Sequence, residues 1–279
     1  MLDTVTIVFK EELPILKVQA ESINLYGQEM GIQTIFVVVN DNDNLVDQID
    51  PGWWGSLKDR VRIIPRSYFG CTFVENGWVS QQALKILTSA LSTNQFSMIL
   101  DAKTIIVKKA TIDLVLPGGK PIGGTLQIPE VFYPSAKIVG ELFGVTLTHN
   151  GGSGGVPFIF NNSTIRNMLI EIKSRTGQEF SDWFQEQGMV TEYLLYVGYN
   201  LYLHGEMNKF YSLTHPYSVA NLCHSQTAII DNKLLEMQEP IRLTISAHRR
   251  AWAVMNEKQR SAYKQILISR GLTTARELV

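Results

Sequence analysis

Phe96-Ser97-Met98-Ile99-Leu100-Asp101-Ala102-Lys103 is the stretch on which the fold turns. Residues 96–100 carry no charge and end at an acid, which reads as a strand buried on both faces. Residues 104–107, Thr-Ile-Ile-Val, then continue as a second short strand. Upstream, residues 4–9 predict the first strand, and residues 13–26 its helix, with Leu16, Ala20, Ile23 and Tyr26 near helical spacing. Residues 34–39 form another uninterrupted apolar run, stopped by Asn40-Asp41-Asn42-Asp43-Asn44, which are turn formers. Residues 60–64 predict a third strand, and residues 80–91 a helix with Ser80 as its cap. This alternation predicts an α/β fold: an open, mainly parallel, Rossmann-like sheet flanked by helices, whose ligands gather at the carboxyl ends of the strands.

The second half is less regular. Between residues 120 and 157 the pattern weakens, and Gly151-Gly152-Ser153-Gly154-Gly155 predicts a mobile loop. Helices are expected over 162–175, 180–187 and 191–202, a strand over 241–247, and a terminal helix over 257–270 capped by Asn256 and stopped by Gly271. No linker or repeat divides the 279 residues, so a single domain over 1–279 is expected, with residues 1–118 as a ligand-binding half and 119–279 as a second lobe.

Composition narrows the class. A formal charge of -1 gives no broad basic surface for nucleic acid. Cys71 and Cys223 are too few for a disulfide framework and lack metal-ligand spacing. With no leader pattern behind Met1 and no apolar run of transmembrane length, the expectation is a cytoplasmic protein without a transmembrane segment. Oligomeric state is not legible.

Residues 4–10 (Thr-Val-Thr-Ile-Val-Phe-Lys), 37–41 (Val-Val-Val-Asn-Asp), 77–85 (Gly-Trp-Val-Ser-Gln-Gln-Ala-Leu-Lys) and 99–103 (Ile-Leu-Asp-Ala-Lys), with 156–160 and 191–196, resemble a poorly characterised family of glycosyltransferase-like proteins of GT-A fold. The resemblance covers most of the chain and rests on the order of the motifs. It implies a GT-A-like sheet with an acceptor-side lobe, a nucleoside-diphosphate sugar donor, and a glycan or other hydroxyl acceptor. It also implies a divalent cation, Mn²⁺ or Mg²⁺, that neutralises the donor diphosphate as negative charge develops on the leaving group.

In GT-A enzymes an Asp-X-Asp element holds that ion. Asp101 matches the first acid, and Lys103 stands where the second would be. Three readings follow: Asp101 binds metal with fewer protein ligands, Lys103 replaces part of the metal's charge, or transfer activity has been lost. His248 is the resemblance's candidate for a second metal ligand, with His224 and His215 as competitors, and Arg249 suits a phosphate. The plain alternative is that His248 caps a helix. Thr6, Lys10, Asn40 and Asp41 lie at strand ends where the nucleotide is expected, and Gln82 and Lys85 stand three apart on one helix. Glu192 resembles an acceptor-side carboxylate and is the candidate general base for an inverting transfer. An acid placed in the first turn for the helix dipole is the alternative. Trp183, Tyr193 and Tyr196 suggest a sugar-stacking surface, although aromatics at helical spacing are more often core. Residues 151–155 lack a phosphate-loop ending and read instead as a lid.

Overall fold

The computed structural model describes residues 1–71, 77–151, 157–213, 218–223 and 227–278, and not the side chains of 124–126, 150, 151 and 227. Strand β1 (Leu2–Val8) leads through helix α1 (Leu13–Tyr26) to β2 (Ile32–Val39) and then β3 (Val61–Pro65). Helix α2 (Gly77–Leu91) returns to β4 (Phe96–Asp101), which turns at once into β5 (Thr104–Ile106). A short helix α3 (Ile112–Val115), strand β6 (Gly124–Gln127), helix α4 (Tyr133–Phe143) and strands β7 (His149–Gly151) and β8 (Phe158–Asn161) follow. Helices α5 (Asn162–Thr176), α6 (Phe180–Gln187) and α7 (Glu192–His204) then precede β9 (Ser218–Leu222), α8 (Ile230–Gln238) and β10 (Arg242–Ala247). Helices α9 (Arg249–Val254) and α10 (Glu257–Ser269) follow, and a 3-10 turn over Thr273–Glu277 lies beyond them.

The central sheet runs β3-β2-β1-β4-β8, parallel except for β8, which pairs antiparallel with β4. Side chains alternate across a strand, and the core divides accordingly. Leu2 and Val8 of β1, with Met98 and Leu100 of β4, pack against Leu16, Ala20 and Ile23 of α1. Val5, Ile7 and Ile99 point the other way, toward Ala83 and Leu84 of α2, Ile165 of α5 and Phe184 of α6. Coverage on both faces is why apolar residues stand at adjacent positions of these strands, Ile7 and Val8 or Ile99 and Leu100, rather than at alternate ones only. A second sheet, β5-β10-β9, is antiparallel between β5 and β10 and parallel between β10 and β9.

Sequence expectation and structure agree closely for α5, α6, β10 and α10, where Asn256 accepts from the Gln259 N–H and Gln259 returns to Asn256. Ser80 is not a cap. Helix α2 begins three residues earlier, and the Ser80 hydroxyl donates to the Gly77 carbonyl while accepting from Asn40. Helices α4 and α8 and strand β9 carry no reading in the sequence, and α9 is foreseen only as the helix that His248 would cap. Gly198 lets α7 lie close against α4, since a Cβ there would stand 2.2 Å from Val139 Cγ1.

Candidate functional site

The site is built on the turn between β4 and β5. Ile7 of β1 lies opposite Asp101 of β4, so the acid stands at the carboxyl edge of the parallel sheet. Gln19, fully buried on α1, holds the turn from beneath. Its Nε2 donates to the Asp101 carbonyl (2.7 Å) and the Thr104 carbonyl (2.9 Å), and its Oε1 accepts from Thr6 Oγ1 (2.9 Å). A buried amide with every partner in place fixes the backbone, because leaving any one of these groups unpaired costs about 1–3 kcal/mol. Thr6, expected at the nucleotide, is therefore a buried support for the turn and does not face a ligand.

Above the turn, four charged side chains converge from three elements. Lys85 of α2 places Nζ 2.9 Å from Asp101 Oδ1 and 2.8 Å from Glu192 Oε1. Lys103 places Nζ 2.5 Å from Asp101 Oδ2. Thr191 caps α7 through its hydroxyl and sets Glu192 in the first turn. Gln82, one turn from Lys85, points its amide at Glu192; assigned with the nitrogen toward the carboxylate, the orientation that satisfies both sides, it donates to Glu192 Oε1 (2.8 Å) and Oε2 and accepts from the Trp78 indole N–H (3.2 Å). The Lys85 and Glu192 side chains are 4% and 3% exposed, against 17% for Asp101 and 20% for Lys103, so the cluster is sealed at one end and open at the other.

Electrostatics follow from that geometry. Burial alone would raise the Asp101 carboxyl, but the ammonium of Lys103 and then that of Lys85 outweigh it and hold the group well below the usual carboxylate range. Burial would likewise push Lys85 down. The carboxylates of Asp101 and Glu192 reverse this and keep its ammonium above the ordinary lysine range.

Lys103 opens onto a cavity of about 310 Å³ that is also lined by Glu11, Glu12, Ala247, Arg249 and Trp252. Pairing of Ser246 with Thr104 aligns β10 with β5 and delivers Ala247 and Arg249 to this cavity. Arg249 is 3.9 Å from Glu11 Oε2 and lies over the Phe9 ring at 5.9 Å. Glu12 accepts from the Phe9 N–H (3.2 Å), and burial raises its pKa against the opposing pull of Lys103.

The remaining sequence candidates divide. The Asn40 side chain is buried and donates to Ser80 Oγ (2.8 Å) and the Gly77 carbonyl (3.2 Å), tying β2 to the start of α2. Asp41 accepts from the backbone N–H groups of Asn42 (2.8 Å) and Lys10 (3.3 Å), joining the ends of β1 and β2. The Lys10 side chain is exposed. Gln82, Lys85, Asp101, Lys103 and Glu192 come together, with Arg249 sharing the Lys103 cavity. Thr6, Asn40 and Asp41 form a supporting layer instead.

Glu192 does not fit the general-base role in this geometry. Its carboxylate pairs with the Lys85 ammonium and faces the Gln82 amide, and its side chain is 3% exposed. Trp183 and Tyr196 are core, and Tyr196 Oη accepts from the Asn161 N–H (3.0 Å). Tyr193 stacks on Phe158 at 5.0 Å. Residues 152–155 of the expected lid, with His215 and His224, lie outside the described residues.

These residues do not fit a divalent ion. Both Asp101 oxygens already face ammonium groups, and ammonium cannot ligate a metal. His248 caps α9 with Nδ1 accepting from the Arg250 N–H (3.1 Å). Among the described residues no group of three His, Cys, Asp or Glu converges as a metal site. The expected Asp101–His248 metal pair is thus replaced by an ion-pair cluster and a helix cap. Gln19 and Glu12 were missed in the sequence. Only Gln19 left a signal, a polar residue inside the apolar stripe of a helix.

No helix among the described residues is long and apolar enough to cross a membrane. No curated protein matches the chain. A crystal structure of the galactosyltransferase LgtC in complex with donor and acceptor sugar analogs superposes with a TM-score of 0.50 at 12% identity, covering 96% of this chain and 95% of that one. The apo glycosyltransferase GlyE of Streptococcus pneumoniae gives 0.45 at 13% identity, over 99% of this chain and 62% of its own. Mouse xyloside xylosyltransferase 1 gives 0.45 at 10%, over 88% and 97%. The fold is that of the GT-A glycosyltransferases. The profile of the family of unknown function DUF6492 matches residues 6–240, and the chain belongs to that family.

Proposed function

We propose that this protein is a glycosyltransferase that takes a nucleoside-diphosphate sugar as donor and a glycan or other hydroxyl compound as acceptor. The observation that carries the reading is the cluster at the carboxyl edge of the sheet. A sealed Lys85–Glu192 pair anchors Asp101, and Asp101 in turn holds Lys103 at the mouth of a cavity shared with Arg249. Preorganised cations at such an edge stabilise negative charge as it develops on a leaving diphosphate, and they cost no reorganisation during the reaction. Glu192 serves here as a positioning residue for Lys85 rather than as a base.

Calorimetric titration with UDP- and GDP-sugars tests the donor half. Binding of at least one is expected, and silence across both would sink the reading. Donor hydrolysis and transfer across an acceptor panel test the rest. A second reading, a catalytically inactive binding protein, is favoured by one observation: the only acid brought near the cluster from α7 is fully engaged. Donor binding without hydrolysis or transfer would select it.

A further inference from the structure

The carboxylate that matches a metal ligand by sequence holds two cations already, and the two differ. Lys85 is buried between Asp101 and Glu192, so its ammonium does not face the cavity. Among the described residues Lys103 makes one hydrogen bond, to Asp101, with its side chain 20% exposed at the cavity. An ammonium carries three N–H donors, which leaves two directed away from Asp101. Arg249, on the same wall, is 56% exposed and only loosely paired with Glu11 at 3.9 Å.

Two acids also line this cavity, and both are accounted for. Glu11 is 66% exposed, where solvent screens it, and a diphosphate would compete with it for Arg249. Glu12 accepts the Phe9 N–H, which turns one oxygen toward the backbone. The rest of the lining is apolar, Pro14, Ile15, Trp252 and Tyr263 among it, and among the described residues the two positive groups that reach this space are the Lys103 ammonium and the Arg249 guanidinium; a guanidinium can engage phosphate oxygens in a bidentate manner.

We propose that Lys103 is a tethered cation in place of a divalent ion: Asp101 aims its ammonium, which with the Arg249 guanidinium holds the donor's diphosphate without metal. This rests on the nucleoside-diphosphate-sugar reading above. Unlike a dissociable ion, such a cation cannot be removed by chelation, and Asp101 then acts on the lysine rather than on the ligand.

The test is titration of UDP and GDP in EDTA and in Mn²⁺, on the wild type, Lys103→Met and Lys103→Arg. The wild type is expected to bind a nucleotide equally well, within about twofold, with and without Mn²⁺. Lys103→Met should weaken binding by about tenfold or more in both buffers, and Lys103→Arg should recover part of the loss. Tightening of the wild type by about tenfold on adding Mn²⁺, or unchanged affinity in Lys103→Met, overturns the proposal while leaving the donor reading intact. Binding of neither nucleotide in either buffer removes the donor reading and this proposal together.

Discussion

Asp3 and Asp101 are carboxylates at opposite ends of the same paired strands, and they are held in opposite ways. Asp3, on β1 beside Ser97 of β4, is 1% exposed and meets only neutral donors: the Thr34 N–H (2.9 Å), Asn94 Nδ2 (2.8 Å) and Ser92 Oγ. Asp101, beside Ile7 of β1, takes two ammonium groups on its side-chain oxygens. Neutral donors tie three segments together and present no charge outward. Paired cations hold a charge in place and leave one of them at the surface. The amino edge of the sheet is closed by its aspartate, and the carboxyl edge is armed by its own.

The largest effect should come from removing the cation that joins the cluster. Lys85→Met leaves two carboxylates facing each other in the interior, and a loss of about 3–5 kcal/mol is expected in urea unfolding. A change below about 1 kcal/mol would mean that the ion pairs add little beyond packing.

Asp101→Asn should cost about 1.5–3 kcal/mol, because hydrogen bonds to charged partners are lost while Lys85 keeps Glu192. It should also change the pH dependence. The folded-state pKa of Asp101 is depressed, so its contribution is complete above the unfolded value of about 3.9 and disappears as pH falls toward the folded one. Wild-type stability should thus fall more steeply below about pH 4 than that of Asp101→Asn. Parallel acid branches would break the comparison.

The smallest effect is expected for Asp3→Asn, at about 0.5–1 kcal/mol, since an amide oxygen still accepts from Thr34 and Asn94 and the amide nitrogen can donate to the Ser92 hydroxyl. A loss as large as that of Asp101→Asn would show that charge matters equally at both edges.

Strands β2 and β4 were legible in the sequence because burial on both faces leaves apolar residues side by side, β1 because its residues are β-branched, and α10 because its capping box is local. It also singled out Gln82, Lys85, Asp101, Lys103 and Glu192 one by one. It could not show that they meet, since pairs separated by 107 residues, as Lys85 and Glu192 are, leave no periodic trace. Nor could it separate His248 the ligand from His248 the cap, because both uses want an imidazole at the end of a strand. The region holding α4 read as weak because few of its residues are buried, Ser135, Val139 and Phe143 among them.

Gln19 has a further consequence, in time rather than in space. The carbonyls of Asp101 and Thr104 are bound to a helix formed more than 80 residues earlier, so the turn cannot open without α1 lifting from the sheet. Its excursions should share the slow, cooperative unfolding of the amino-terminal core rather than the rapid fluctuation of a surface loop. An encounter with ligand would then find the turn already set in nearly every molecule, and exchange of the amide protons around it would report the breathing of α1.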